Sequence, residues 1–169
     1  MSRVHQTGLG LCAFLALTVL LRVPSPAGAD ESTASAERAA YVEELEAICR
    51  PRAQATQRVM KGVREEVRRD RIKPAARKFA RGTALFDRTV ALMSPVARPP
   101  ADAETLRRWF VYLERQEGYL KAVTRSLRAG RTIAAQRLIA RFIHTGNLAN
   151  DVVLSFGFNY CSFKFSRFG

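Results

Sequence analysis

The sequence predicts an all-α protein: an up-and-down four-helix bundle with one disulfide, preceded by a signal peptide. Three observations predict it. An apolar N-terminal run ends at a small-x-small triplet, apolar residues downstream recur at steps of three and four between clusters of Pro and Gly, and two cysteines remain once the leader is removed.

Residues 1–29 read as the signal peptide. Arg3 and the amino terminus give a positive start without acidic residues, and Leu9 to Leu21 is a run of 13 mostly apolar residues. That length suits an export signal and falls short of the ~20 residues a membrane-spanning helix needs. Pro24 and Pro26 then precede Ala27-Gly28-Ala29, so cleavage is expected after Ala29. Cys12 lies inside the apolar run behind Leu11, where a lipid-attachment cysteine would need a small residue before it, so lipidation is not expected. The remaining chain, 30–169, is long enough for one domain with a real core and carries no further transmembrane run. The expected location is outside the cell or at the envelope.

Within 30–169 the first helix is expected over 37–69, with Tyr41, Leu45, Ile48, Arg52, Ala55, Val59 and Gly62 on one stripe and a kink or break at Pro51. Pro74 opens a second helix with the stripe Phe79, Thr83, Phe86, Val90, Met93, ended by Pro95 and Pro99-Pro100. A third begins near Asp102. Its seam reads Leu106, Phe110, Leu113, Glu117, Leu120, Thr124, Leu127, widened by Trp109, Tyr112, Tyr119 and Val123. Gly130 closes it, and the fourth helix carries Ala135, Leu138, Phe142, Thr145, Ala149, Val152 and Phe156 up to Gly157. Short connections between amphipathic helices favour antiparallel neighbours.

Removal of the leader takes Cys12 with it and leaves Cys49 and Cys161. An even pair in an exported chain is most simply a disulfide, with two separate buried thiols as the alternative. In an up-and-down bundle the end of the fourth helix returns beside the first half of the first, which brings the two cysteines together. A metal site is not expected, because His144 is the only histidine left to accompany them.

The chain resembles small secreted helical proteins of high-GC Gram-positive bacteria, most of them uncharacterised. The resemblance lies in Tyr41-Val42 with Ile48-Cys49, in Leu113-Glu114-Arg115 and Leu127-Arg128-Ala129-Gly130, and in the stretch from Ala149-Asn150 to Gly157-Phe158 with Cys161. It implies a helical bundle with paired cysteines and brings no activity with it.

The charge is uneven. The full chain carries a net +13; without Arg3 and Arg22 of the leader, 26 basic residues face 15 acidic ones, a net +11. Between Arg58 and Arg81 ten cations stand against Glu65, Glu66 and Asp70, whereas Asp30 to Gln57 is net negative. Arg64, Arg68, Arg69, Arg71, Lys73, Arg77 and Lys78 would therefore form a cationic pole, joined in the bundle by Arg125, Arg128 and Arg131 from the loop between the third and fourth helices. Such a pole attracts anionic polymers or an anionic membrane surface. Specific nucleic-acid recognition is not expected. Arginine-rich codon bias, placing solvating charge on helix faces, is the plainer alternative. The tail from Phe158 to Phe168 interleaves aromatics with cations and is expected to fold over the end of the bundle.

Arg52, Thr83, Glu117 and Thr145 interrupt the apolar stripes at similar heights and are expected to meet in an interior polar layer, with Glu117 paired to Arg52. Such a layer fixes register, and the alternative is a site holding a small anionic molecule, in an enzyme or a carrier. No phosphate-binding glycine loop, nucleophile elbow or zinc-binding helix motif occurs, so a noncatalytic protein without a cofactor is expected.

Overall fold

The structure, a computed structural model, describes residues 27–162 and residue 164, with side chains from Asp30 onward. Most of the expected leader, and Phe163, Phe165 and Phe168 of the tail, lie outside the described residues. Among these the chain is all-helical: α1 Ala27–Met60, α2 Val63–Arg68, α3 Ile72–Met93, α4 Ala103–Arg128 and α5 Thr132–Val152, with single 3-10 turns at Pro100–Asp102 and Leu154–Phe156. Among the described residues no helix is long and apolar enough to cross a membrane.

The first helix differs from expectation. It runs through Pro51 and stops at Met60, and the break falls at Gly62, whose φ of 73° is left-handed backbone that glycine adopts without steric cost. Proline removes one N–H and crowds one carbonyl, and the neighbouring Arg52 supplies a side-chain donor in the same turn, 2.8 Å from the carbonyl of Ile48. The last helix also ends earlier than expected, at Val152, with the 3-10 turn Leu154–Phe156 between it and Gly157, whereas the expected stops after Met93 and at Gly130 hold. Gly130 is left-handed, and the N–H of Arg131 reaches back to the carbonyl of Ser126 at 2.9 Å, which closes α4. After α2 the same closure is made by Asp70, at φ 56°, with Arg71 N–H on the carbonyl of Glu66 at 2.8 Å.

Packing runs α1 on α3, α3 on α4 and α4 on α5. One end of the core gathers Tyr41, Leu45 and Cys49 from the first half of α1, Met93 from the end of α3, Leu106 to Leu113 from the start of α4, and Ala149, Val153, Phe156 and Phe158 from the end of the chain. The other gathers Met60 and Val63, Ala75 to Phe79, Leu120 to Leu127, and Ala135 with Phe142. Successive long helices therefore alternate in direction.

The two ends are closed differently. At the first, Cys49 and Cys161 form the disulfide, with Cα atoms 5.2 Å apart. The carboxylate of Glu46 accepts the N–H groups of Asn159, Tyr160 and Cys161 at 2.8, 2.9 and 3.2 Å. Phe158 is buried and stacks on Trp109, ring centroids 5.3 Å apart. The described part of the tail thus covers this end, as its aromatics suggested. Arg38 adds a two-pronged bond to Asp102 at 2.8 and 2.6 Å. At the opposite end α1 and α5 are not in comparable contact, and the bundle stays open between them.

Candidate functional site

Half of the expected polar layer is interior. Thr83 and Thr145 are buried, and the Thr83 hydroxyl donates to the carbonyl of Phe79 at 2.8 Å and lies 3.3 Å from the hydroxyl of Thr124 on α4. The Arg52–Glu117 pair is replaced by other partners. Glu117 binds Lys121, one turn along α4, and Lys121 also lies 3.5 Å from Asp87 on α3. Asp87 sits in this cluster with its carboxyl pushed above the usual range, first by burial and then by the charge of Glu117, with Lys121 opposing both. Arg52 instead turns to Ile48. One step along a helix rotates a side chain by about 100°, and Gln116 takes the interior position that Glu117 was expected to fill. Gln116 is 1% exposed, and its Nε2 has no hydrogen-bond partner. It lies one heptad from Trp109 and from Val123, both buried, and that spacing was the available signal.

The cationic residues do gather at the open end. Arg64, Arg68, Arg69, Arg71, Lys73 and Arg77 are exposed there, as are Arg125, Arg128 and Arg131 at the junction of α4 and α5. Part of the charge is internally matched: Glu65 pairs with Arg68 and Arg69, and Glu66 pairs with the half-buried Lys78 at 2.8 Å. Arg71, Lys73 and Arg77 pair with no carboxylate among the described residues. His144 is exposed, away from the interior.

Beneath this pole lies a groove that the sequence did not announce. Its volume is about 880 Å³, and it opens where α1 and α2 part from α5. Apolar side chains make its walls, Met60, Val63 and Val67 on one side, Phe79 and Leu120 at the base, Ile139 and Phe142 on the other, while Lys61, Arg64, Glu65 and Arg68 form the rim. Gly82 lets the end of α1 approach α3 closely; a Cβ there would meet Met60 Sδ at 3.1 Å. A second, smaller cavity of about 120 Å³ lies next to it toward the disulfide, sharing Thr56 and Phe86 and containing Gln116 and Arg52.

An apolar trough with a cationic lip can hold a molecule that is greasy along its length and negatively charged at one end. Comparison with protein-family models, with curated proteins and with solved structures finds no match for this chain.

Proposed function

We propose that the protein is a noncatalytic, exported binding protein for single-chain anionic lipids, with the acyl chain in the groove and the headgroup at the cationic rim. The observation that carries this reading is the groove itself: about 880 Å³, walled by apolar side chains and edged by Lys61, Arg64 and Arg68 with a single carboxylate, Glu65, which pairs with Arg68. Its volume falls within the ~300–1,000 Å³ usual for small-molecule sites. The export reading draws on the leader-like sequence of residues 1–29 and fits a chain closed by a disulfide. Kinship with the secreted helical proteins of high-GC Gram-positive bacteria is part of the same proposal.

The test is titration with hexadecanoate, with hexadecanol and polyphosphate as controls. Hexadecanoate should bind one-to-one, hexadecanol more weakly, and polyphosphate without displacing the lipid. Reversing Lys61, Arg64 and Arg68 to Glu should weaken lipid binding far more than reversing the exposed Arg88, Arg108 and Arg115, although both sets change the net charge equally. Equal losses would leave a diffuse cationic surface, and absence of hexadecanoate binding would overturn the reading.

A further inference from the structure

The groove uses only part of the cationic pole. Lys61, Arg64 and Arg68 edge it, but Arg71, Lys73 and Arg77 at the start of α3, and Arg125, Arg128 and Arg131 where α4 gives way to α5, do not line it. These last six are exposed, and none of them pairs with a carboxylate among the described residues. The sequence keeps acids away from them: no Asp or Glu lies between Asp70 and Asp87, or between Glu117 and Asp151. Both segments meet at the open end, since Ile72, Ala75 and Ala76 pack in the same half of the core as Leu127 and Ala135. An apolar side chain stands among the charges. Ile133, in the first turn of α5, is 66% exposed, whereas the other large apolar side chains exposed among the described residues, Leu92 at the end of α3 and Leu154 after α5, lie toward the disulfide. A single exposed apolar residue is ordinary on a protein surface. An isoleucine set among cations with no acid nearby is suited to a membrane interface, where the charges meet headgroup phosphates and the side chain enters the acyl boundary.

We propose that the open end of the bundle docks on an anionic lipid bilayer, with Ile133 inserted and the surrounding cations on the headgroups. The inference rests on the lipid reading of the groove and names where that lipid comes from: a long acyl chain partitions into a bilayer in preference to water, and the groove opens at the end that meets the membrane. Charge draws the pole to the surface, and salt screens that attraction. Ile133 adds an apolar contact that salt does not screen. An anionic polymer in solution would use the charges alone and leave Ile133 in water.

Cosedimentation of the oxidised protein with vesicles tests this, comparing phosphatidylglycerol mixed into phosphatidylcholine with phosphatidylcholine alone. The protein should bind the anionic vesicles and not the zwitterionic ones. Ile133→Ser, which alters no charge, should weaken that binding by about tenfold, the loss expected when a large aliphatic side chain no longer leaves water. Leu154→Ser, at the other end and at a more exposed position, should bind as wild type does. Arg128→Glu/Arg131→Glu should lose vesicle binding yet keep the wild-type affinity for hexadecanoate, because neither residue lines the groove. Equal binding to both kinds of vesicle, or an Ile133→Ser protein that binds anionic vesicles as wild type does, would overturn docking through this end; the second result would leave a surface that binds polyanions by charge alone. Titration of the same samples with hexadecanoate, without vesicles, separates these outcomes from failure of the groove: a protein that binds hexadecanoate but no anionic vesicle keeps the groove and loses the docking surface.

Discussion

Removing the disulfide should be the most costly change that leaves every helix sequence intact. Cys49 and Cys161 are separated by 112 positions, so the bridge closes most of the folded chain into one loop. In the chain-entropy picture a loop of about 100 residues contributes about 4.7 kcal/mol by restricting the unfolded state. Cys49 is buried, and trimming it to Ala adds a small cavity term, on the order of 1 kcal/mol. For a domain of this size each kcal/mol moves Tm by roughly 3–4 °C, so Cys49→Ala/Cys161→Ala should melt about 17–23 °C below wild type. The folded state itself should survive, because Glu46 still holds the N–H groups of residues 159–161 and Phe158 still stacks on Trp109. Thermal melts by far-ultraviolet circular dichroism, with and without reductant, measure the effect. A double variant that melts with the oxidised wild type would refute both the pairing and the loop-entropy reasoning.

Three further substitutions probe particular strains. Asp70→Gly should stabilise by about 0.5–1 kcal/mol, read from urea denaturation, because Asp70 occupies left-handed backbone at φ 56° that glycine tolerates better. Asp87→Asn should raise Tm at neutral pH: burial and Glu117 raise this carboxyl's pKa, so its stabilising share is present when protonated and is lost as pH rises through the folded value. The advantage of the variant should shrink on acidification, and a difference that grows in acid would contradict the assignment. Tyr41 is buried with an unpartnered hydroxyl and a pKa pushed up to about 12, chiefly by burial and against the pull of Arg98. Stability linked to it is therefore full below the ordinary tyrosine value of about 10 and lost between there and about 12. Tyr41→Phe should flatten that alkaline loss without lowering stability at neutral pH.

Much of the fold was legible because helices with one buried face write it at steps of three and four. Phe79, Thr83 and Met93 on α3, and Ala135, Phe142, Thr145 and Ala149 on α5, are buried where the stripes put them. The punctuation was legible where one residue type dominates the physics, as at Gly130, and misleading where two competed. Pro51 carries the stronger helix-breaking propensity, yet the helix passes through it and breaks at Gly62, where the chain must turn toward α3. The same limit applies to α4. Its broad apolar face has two parallel rows, and only three-dimensional packing selects the row of Trp109, Gln116 and Val123 as the deepest. That choice moves the interior polar group from Glu117 to Gln116 and replaces an expected ion pair with a buried, unpartnered amide nitrogen. The groove was hidden for another reason: it opens where α1 and α2 part from α5, and periodicity within a helix does not report how closely its neighbours approach.

The most direct measurement is calorimetric titration of the oxidised protein with dodecanoate, tetradecanoate and hexadecanoate. If the groove takes the acyl chain, each added CH₂ is buried at about 0.8 kcal/mol, so Kd should fall by roughly tenfold for every two carbons. Gly82→Leu, which projects into the groove beside Met60, should remove most of that dependence. Affinity that is the same for all three chains, or unaffected by Gly82→Leu in a folded protein, would contradict binding in the groove and leave only the charge of the pole.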